Sequence, residues 1–499
     1  MSLKRKTVDG LLWSFIDTAL GQGIQFFVSI VLARLLLPRE FGLIGMILIF
    51  IALSEAFINS GFSSALIRKK DCNQSDYSTV FFFNLTAGIV FFLTLFFAAP
   101  FISNFFGEPQ LKPIVQVLGI VLIIDSVTLI QRTILTRDID FKLQARVSFI
   151  ASAGSGLIAI FMAWKGMGVW SLVVQRISRQ AINTAFLLFW TKWRPSLIFS
   201  FKSFRELFGF GSKLLISNLI DTFYNNIYYL LIGKYFSAQQ LGFYTRADEF
   251  NRLPSHNLSG IIQRVSYPVL CSIQEDREKL THTYRRFIRS AMFIAFIVML
   301  LMAAMAEPLI ITLIGEKWRE SVPYFQLLCF TGMFYPLHVL NLNIIQVKGR
   351  SDLFLKLEII KKVLAIPTIV LGIFLGIKVM IFGMMANTLI DFYLNNIWSK
   401  SLIGYSFKQQ VKDILPSLVI AAIVGITVYS LGMFLTYGYG TILLLQVITG
   451  IGLTIAISEF TRFGDYIFIK ETIRERFNLR RKPIIINNME ASVVPVDKA

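Results

Sequence analysis

The stretch LGFYTRADEFNRLPSHNLSGIIQRVSYP, Leu241 to Pro268, is long enough to cross a bilayer, yet it carries Arg246, Asp248, Glu249, Arg252 and His256. At 100° per residue, Thr245, Asp248, Glu249, Arg252, His256, Ser259 and Gln263 gather in a sector of about 100°, and Phe243, Ala247, Phe250, Leu258 and Ile261 fall opposite. A charge facing lipid at mid-depth costs roughly 2.5 to 3.5 kcal/mol. Four of them would cost about 10 kcal/mol, comparable with the whole stability of a domain. The polar side therefore faces other helices or water. Two arrangements satisfy this: a water-filled transport pathway, or a structural cluster in which Arg246 pairs with Glu249 and Asp248 with Arg252 at i+3 and i+4.

The surroundings are apolar. Of 499 residues, 55% are hydrophobic and 16% charged, and fourteen windows approach the 20 or so apolar residues that about 30 Å of hydrocarbon requires. This predicts an all-α polytopic membrane protein. The basic opening MSLKRK leads into an apolar segment too long for a signal peptide and lacking a small-residue cleavage site, so residues 9–36 are expected to be retained as the first span. The spans fall at roughly 9–36, 41–66, 77–99, 111–134, 143–163, 168–190, 207–233, 240–271, 286–314, 321–346, 352–375, 378–402, 414–436 and 438–460. Cys72, Cys271 and Cys329 are too scattered for a disulfide frame, and His256, His282 and His338 share no ligand-like spacing. Neither a metal nor another cofactor is expected.

The net charge of +19 invites a nucleic-acid partner. Its placement argues against one, because most of the lysines and arginines fall in alternate connections, as the positive-inside rule requires with both termini in the cytoplasm. The tail after Phe463 is basic, then polar, and reads as a surface helix followed by disorder.

An internal repeat organises the spans. ARLLLPREFGLIG from Ala33 aligns without a gap on GKYFSAQQLGFYT from Gly233, matching Arg34 with Lys234 and Gly42 with Gly242. At slightly larger shifts FGE (Phe106–Glu108) matches IGE (Ile314–Glu316), PIVQVL from Pro113 matches PYFQLL from Pro323, and GMGVWSL from Gly166 matches GIKVMIF from Gly376. Two six-helix units of like orientation, related by an axis along the membrane normal, are expected around a central cavity. They occupy 1–200 and 201–405, with two accessory spans in 406–462 and a cytoplasmic tail over 463–499.

Polar residues within spans concentrate on the first two helices of each unit. Asp17 and Glu55 stand in the first unit, and Lys213, Asn218, Asp221 and Asn225 in the second. The sixth span adds Gln175, Arg176, Arg179 and Asn183, spaced by three and four with no acid within a turn. Three readings stay open for these arginines: an anionic ligand held in the bidentate manner guanidinium favours, an acid on another helix such as Asp125 or Glu55, or snorkelling to an interface. Arg176, Arg179, Arg246, Arg252, Lys213, Asn218 and Asn225 are therefore candidates for binding substrate. Asp17, Glu55, Asp221, Asp248 and Glu249 are candidates for ion coupling or gating, with a proton or sodium ion.

In ARLLLPREFGLIG, GFSSALIRKKD (Gly61–Asp71), LGFYTRADEFNRLP (Leu241–Pro254) and RVSYPVLCSIQED (Arg264–Asp276) the chain resembles the polysaccharide-transporter branch of the multidrug/oligosaccharidyl-lipid/polysaccharide exporter superfamily. It is most similar to O-antigen, exopolysaccharide and teichuronic-acid exporters, over about residues 5 to 460. The resemblance implies two lobes around a cationic cavity that alternates its exposure. It also implies a polyprenyl-pyrophosphate-linked oligosaccharide as substrate, moved to the outer leaflet of a bacterial plasma membrane among membrane lipids. A polysaccharide polymerase and glycosyltransferases are the protein partners it suggests. A cation-coupled multidrug antiporter of the same superfamily is the nearest rival, and would need acids to dominate the cavity. A membrane glycosyltransferase or polymerase would need a long extramembrane loop bearing catalytic carboxylates, and no connection is long enough. A GxxxxGK[ST] nucleotide loop is absent from the sequence, so gradients are the expected source of energy.

Overall fold

The computed structural model describes residues 21–59 and 61–479. The first half of the chain forms α1 (Gly21–Leu35), α2 (Pro38–Asn59), α3 (Phe62–Arg68), α4 (Gln74–Phe106), α5 (Leu111–Leu118), α6 (Ile120–Arg137), α7 (Phe141–Trp164), α8 (Val169–Trp190) and α9 (Phe201–Tyr235). The second half forms α10 (Ala238–Ser272), α11 (Arg277–Ala304), α12 (Ala306–Ile314), a 3-10 turn (Glu316–Trp318), α13 (Ser321–Gly332), α14 (Tyr335–Val347), α15 (Ser351–Leu375), α16 (Ile377–Ile397), α17 (Ser399–Ile403), α18 (Phe407–Phe434), α19 (Tyr439–Phe460) and α20 (Gly464–Leu479). No strand occurs among the described residues. In a bilayer this is the expected economy, since a helix satisfies its backbone polar groups within itself.

Among the described residues nine helical segments are long and apolar enough to cross a membrane, so the protein is a multi-pass membrane protein. The other five predicted spans are helical too, as α1, α8, α9, α10 and α15. Residues 9–20 of the span expected at 9–36 lie outside the described residues, and α1 covers the part that is described. The remaining four carry charged residues within their apolar runs. Length does not limit them: α9 and α10 have 35 residues each, roughly 52 Å at 1.5 Å per residue. Several spans are broken where the sequence suggested one rod. Residues 321–346, for instance, form α13 and α14.

The chain packs as two compact units. Among the described residues, one comprises those up to Arg252 with Ala306–Leu328 and Glu358–Asn387, and the other comprises Leu253–Met305, Cys329–Leu357 and those from Thr388 onward.

In the first unit α2 and α10 cross where neither has a side chain to hold them apart. A Cβ on Gly42 would lie 1.6 Å from the Ala238 carbonyl oxygen, and one on Gly242 would lie 1.8 Å from that of Pro38. The same reciprocity recurs at the helix ends. Arg34 donates from Nε to Leu313 O at 2.7 Å at the end of α12, while Lys234 donates from Nζ to Phe105 O at 2.5 Å at the end of α4. A cation set on the unsatisfied carbonyls of a helix C-terminus is favourable. Trp318 is fully buried beside this crossing, donating from Nε1 to Ala33 O at 2.8 Å, with its ring edge-on to Phe41 and Phe243. Gly107 closes α4 at φ +71°, which lets Glu108 N reach Ser103 O at 3.1 Å.

The second unit is organised by polar bonds between α11, α14, α16 and α18. Tyr284 Oη donates to Asn341 Oδ1 at 2.5 Å, and Gln410 joins Asn341 and Asn396 at 2.9 to 3.2 Å, all of them buried. Arg285 holds Asp413 with two bonds of 2.8 and 2.9 Å, and Tyr405 donates to the same carboxylate. The helix expected in the tail is α20, and the disorder expected after it falls outside the described residues. The helix docks on α11 through Arg289 and Asp465 at 3.0 Å and the Arg286 guanidinium 3.5 Å from the Phe468 ring centroid.

Gly42→Leu and Gly242→Leu are each expected to destabilise the purified protein by about 1 to 3 kcal/mol, the usual cost of overpacking. Gly23→Ala, where no atom stands within 4 Å of the new Cβ, should be neutral or slightly stabilising. Melting in detergent by intrinsic fluorescence measures all three.

Candidate functional site: a charged cavity

The first unit contains a cavity of about 700 Å³ walled by α1, α2, α6, α7, α8 and α10. Helical spacing explains how α8 furnishes one side: Gln175, Arg176, Arg179, Gln180 and Asn183 recur every three or four residues and all reach the cavity. Arg132, Arg176, Arg179 and Arg246 line it against Glu55, Asp125 and Glu249, four cations to three anions.

The groups are arranged as cross-helix pairs. Arg176 meets Glu55 of α2 at 3.0 Å, which is the acid-on-another-helix arrangement. Arg132 approaches Asp125 at 3.3 Å and also donates to Gln180 Oε1 and Asn183 Oδ1 at 3.3 and 3.2 Å. Arg179 faces the Gln25 side-chain amide, whose oxygen accepts from the guanidinium. Arg246 pairs with Glu249, donates to Ser29 Oγ at 2.5 Å, and lies over the Phe41 ring at 4.3 Å; Ser29 in turn donates to Glu249 at 3.0 Å. Arg246 Nε is buried and has no hydrogen-bond partner among the described residues.

The polar sector predicted on α10 is divided by the structure. Thr245 and Glu249 of that sector face the cavity, joined by Arg246 from outside it. Asp248 instead turns toward α9, where it takes Arg252 Nε at 2.7 Å and the Tyr229 hydroxyl. The reason is angular, because a sector about 100° wide spans two neighbours once the helix is packed on more than one side. Both i+3 and i+4 pairs envisaged from the sequence are present, on different walls.

The remaining candidates fall elsewhere. Asn225 offers its backbone oxygen to Arg252 NH2 at 3.4 Å, while Asn218 and Asp221 are exposed on α9. Asp221 pairs with Lys362 of α15 at 2.6 Å. That lysine edges an apolar groove of about 870 Å³ between α2, α4, α9 and α15, lined by Phe50, Phe57, Phe91 and Phe223. The helix α2 is thus a partition, with the charged cavity on one face and the apolar groove on another. Asp17 and the Lys213 side chain lie outside the described residues. Sequence reasoning did not single out Arg132, which stands near the end of its span. Its spacing of seven from Asp125, two turns along one face, was the available signal.

Comparison with known proteins places this architecture. The chain is 26% identical to the lipopolysaccharide biosynthesis protein WzxC of Escherichia coli K12, over 85% of this chain and 89% of that one. It is 23% identical to the teichuronic acid biosynthesis protein TuaB of Bacillus subtilis 168, over 70% of this chain and 73% of that one. Among solved structures it superposes on the lipid II flippase MurJ in its inward closed conformation with a TM-score of 0.74 at 14% identity, covering 91% of this chain and 99% of MurJ. That likeness shows a shared fold. Residues 31–323, more than half of the chain, match the polysaccharide biosynthesis protein family, and the chain belongs to that family.

Proposed function

We propose that the protein is a flippase that carries a polyprenyl-pyrophosphate-linked oligosaccharide from the cytoplasmic to the outer leaflet of a bacterial plasma membrane. The observation that carries this reading is the cavity in which four arginines face three carboxylates. A pyrophosphate needs planar bidentate donors. Arg132, Arg176 and Arg179 present them from two adjacent helices, held by acids and amides that an anion can displace. Arg246 adds a fourth guanidinium from α10. The apolar groove across α2 suits the isoprenoid tail. Fold likeness to a lipid II flippase and membership of a polysaccharide biosynthesis family both favour a lipid-linked glycan over a drug cation, for which acids would have to outnumber arginines.

Two lobes of six spans, two accessory spans and cytoplasmic termini complete the proposal. The reciprocal contacts of Gly42 with Ala238 and Gly242 with Pro38, and of Arg34 with Leu313 and Lys234 with Phe105, support a two-fold relation between the repeats. Two negative charges moved outward across about 100 mV, inside negative, gain on the order of 4 to 5 kcal/mol at about 2.3 kcal/mol per charge. Membrane potential therefore assists export, with a cation gradient as the second source. A polymerase and glycosyltransferases would stand downstream and upstream.

Arg176→Ala and Arg179→Ala should each lower surface polysaccharide about 10- to 100-fold at unchanged protein level, as expected for losing a charge-assisted bond of about 1.5 to 3 kcal/mol. Wild-type export from both, measured by quantitative surface-glycan labelling, would remove the arginines from the mechanism. For topology, single cysteines at Lys70 and Lys317 in a cysteine-free background should label with an impermeant maleimide from opposite sides, position 317 in intact cells and position 70 only after lysis. Labelling of both from one side would refute the orientation.

A further inference from the structure

We propose that a small chamber opening off the charged cavity is a binding site for an alkali-metal cation. The site centres on Asp125, and its cation takes that carboxylate from Arg132 as the cavity loads its anionic ligand. The chamber is about 150 Å³ in volume, lies between α2, α3 and α6, and shares Asn59, Asp125 and Arg132 with the main cavity. At roughly 30 Å³ per water molecule it holds about five waters, room for a small ion that keeps part of its hydration shell.

The chamber's polar lining is rich in oxygen. Thr133 Oγ1 donates to Leu129 O at 2.8 Å and Thr136 Oγ1 to Arg132 O at 2.9 Å, so both hydroxyls direct their protons at the helix backbone; Thr136, which also accepts from Gln144 Nε2 at 3.0 Å, keeps one lone pair to offer. Ser63 Oγ stands 3.1 Å from Thr133 Oγ1. Ser63 is the acceptor of that bond and keeps a second lone pair. Asn59 adds an amide and Asp125 the negative charge. Both side-chain partners of Asp125, Gln180 Nε2 at 2.5 Å and Arg132 NH1 at 3.3 Å, bind Oδ1, which leaves Oδ2 outside that set. Hard cations take all-oxygen sets of this kind.

The pair that the ion divides is suited to parting. Its contact is long, the Arg132 side chain is 42% exposed against 16% for Asp125, and such partly exposed pairs contribute little. Arg132 already has other acceptors in Gln180 and Asn183. Once the ion holds Asp125, the guanidinium turns wholly to the cavity, and the cavity's balance shifts by one positive charge. Cation and anion then favour each other's binding. The coupling rests on the reading that the cavity takes a pyrophosphate head; the cation site does not.

Equilibrium binding of ²²Na⁺ to the purified full chain in lipid nanodiscs tests this. The wild type should show one saturable site, and Asp125→Asn should abolish it. Thr133→Val should weaken it about tenfold, the loss of one hydrogen-bond-strength ligand. Arg132→Gln should tighten it about two- to fivefold by removing the competing cation, an opposite sign that a merely structural Arg132–Asp125 pair would not give. Absence of saturable Na⁺ binding, undiminished binding in Asp125→Asn, or weaker binding in Arg132→Gln would overturn the site. With inorganic pyrophosphate as the second probe, Na⁺ should raise its affinity in the wild type and not in Asp125→Asn. Equal affinity with and without Na⁺ would overturn the coupling. Pyrophosphate that fails to bind under either condition would count against the exporter reading instead.

Discussion

A guanidinium keeps its charge wherever it is placed, so an arginine within a bundle that crosses a bilayer must find an acid, an amide or water. In this protein that constraint governs the arrangement of α1, α2, α6, α8 and α10. Each cavity arginine is met by a group from the same or another helix: Arg176 by Glu55, Arg132 by Asp125, Arg179 by Gln25, Arg246 by Glu249 and Ser29. The compensation is partial, because the lining keeps one more cation than anion. An assembly that satisfied its charges fully would be a structural cluster. One that leaves a surplus of positive charge suits the anionic substrate proposed for it.

The scaffold that presents these groups depends on close backbone approach. Hydrophobic burial gives little drive between helices that already sit in lipid, and small residues that allow intimate packing take over. Gly42 and Gly242 let α2 and α10 meet carbonyl to Cα, and Arg34, Lys234 and Trp318 tie the adjoining helix ends by bonds to main-chain oxygens. Bonds to carbonyls need no particular partner side chain, which suits them to a joint between helices of diverged sequence.

Much of the fold was legible in the sequence because hydrophobic length is an additive signal. The helices appeared where apolar runs predicted them, and α20 where the basic tail began. The charged face of α8 was legible as well, since its three- and four-residue spacing survives packing unchanged. What was not legible was the neighbour of each charge. The sector on α10 looked single because a wheel has no partners, and its division between the Arg246 and Asp248 walls follows from α1 and α9 lying on different sides. Arg132 was hidden because charge near a span's end is read as topology, whereas α6 continues to Arg137 and brings that guanidinium into the cavity. Asp221 read as a cavity acid, but α15 supplies Lys362 from more than a hundred residues away.

The central claim is that the cavity is hydrated and electropositive enough to draw in an anion. A cysteine placed at Leu48, an uncharged position in its lining, in a cysteine-free background measures both properties through its reaction rates with anionic and cationic methanethiosulfonate reagents. The account predicts faster labelling by the anionic reagent, slowed by added pyrophosphate. No reaction with either reagent, or a preference for the cationic one, would contradict it.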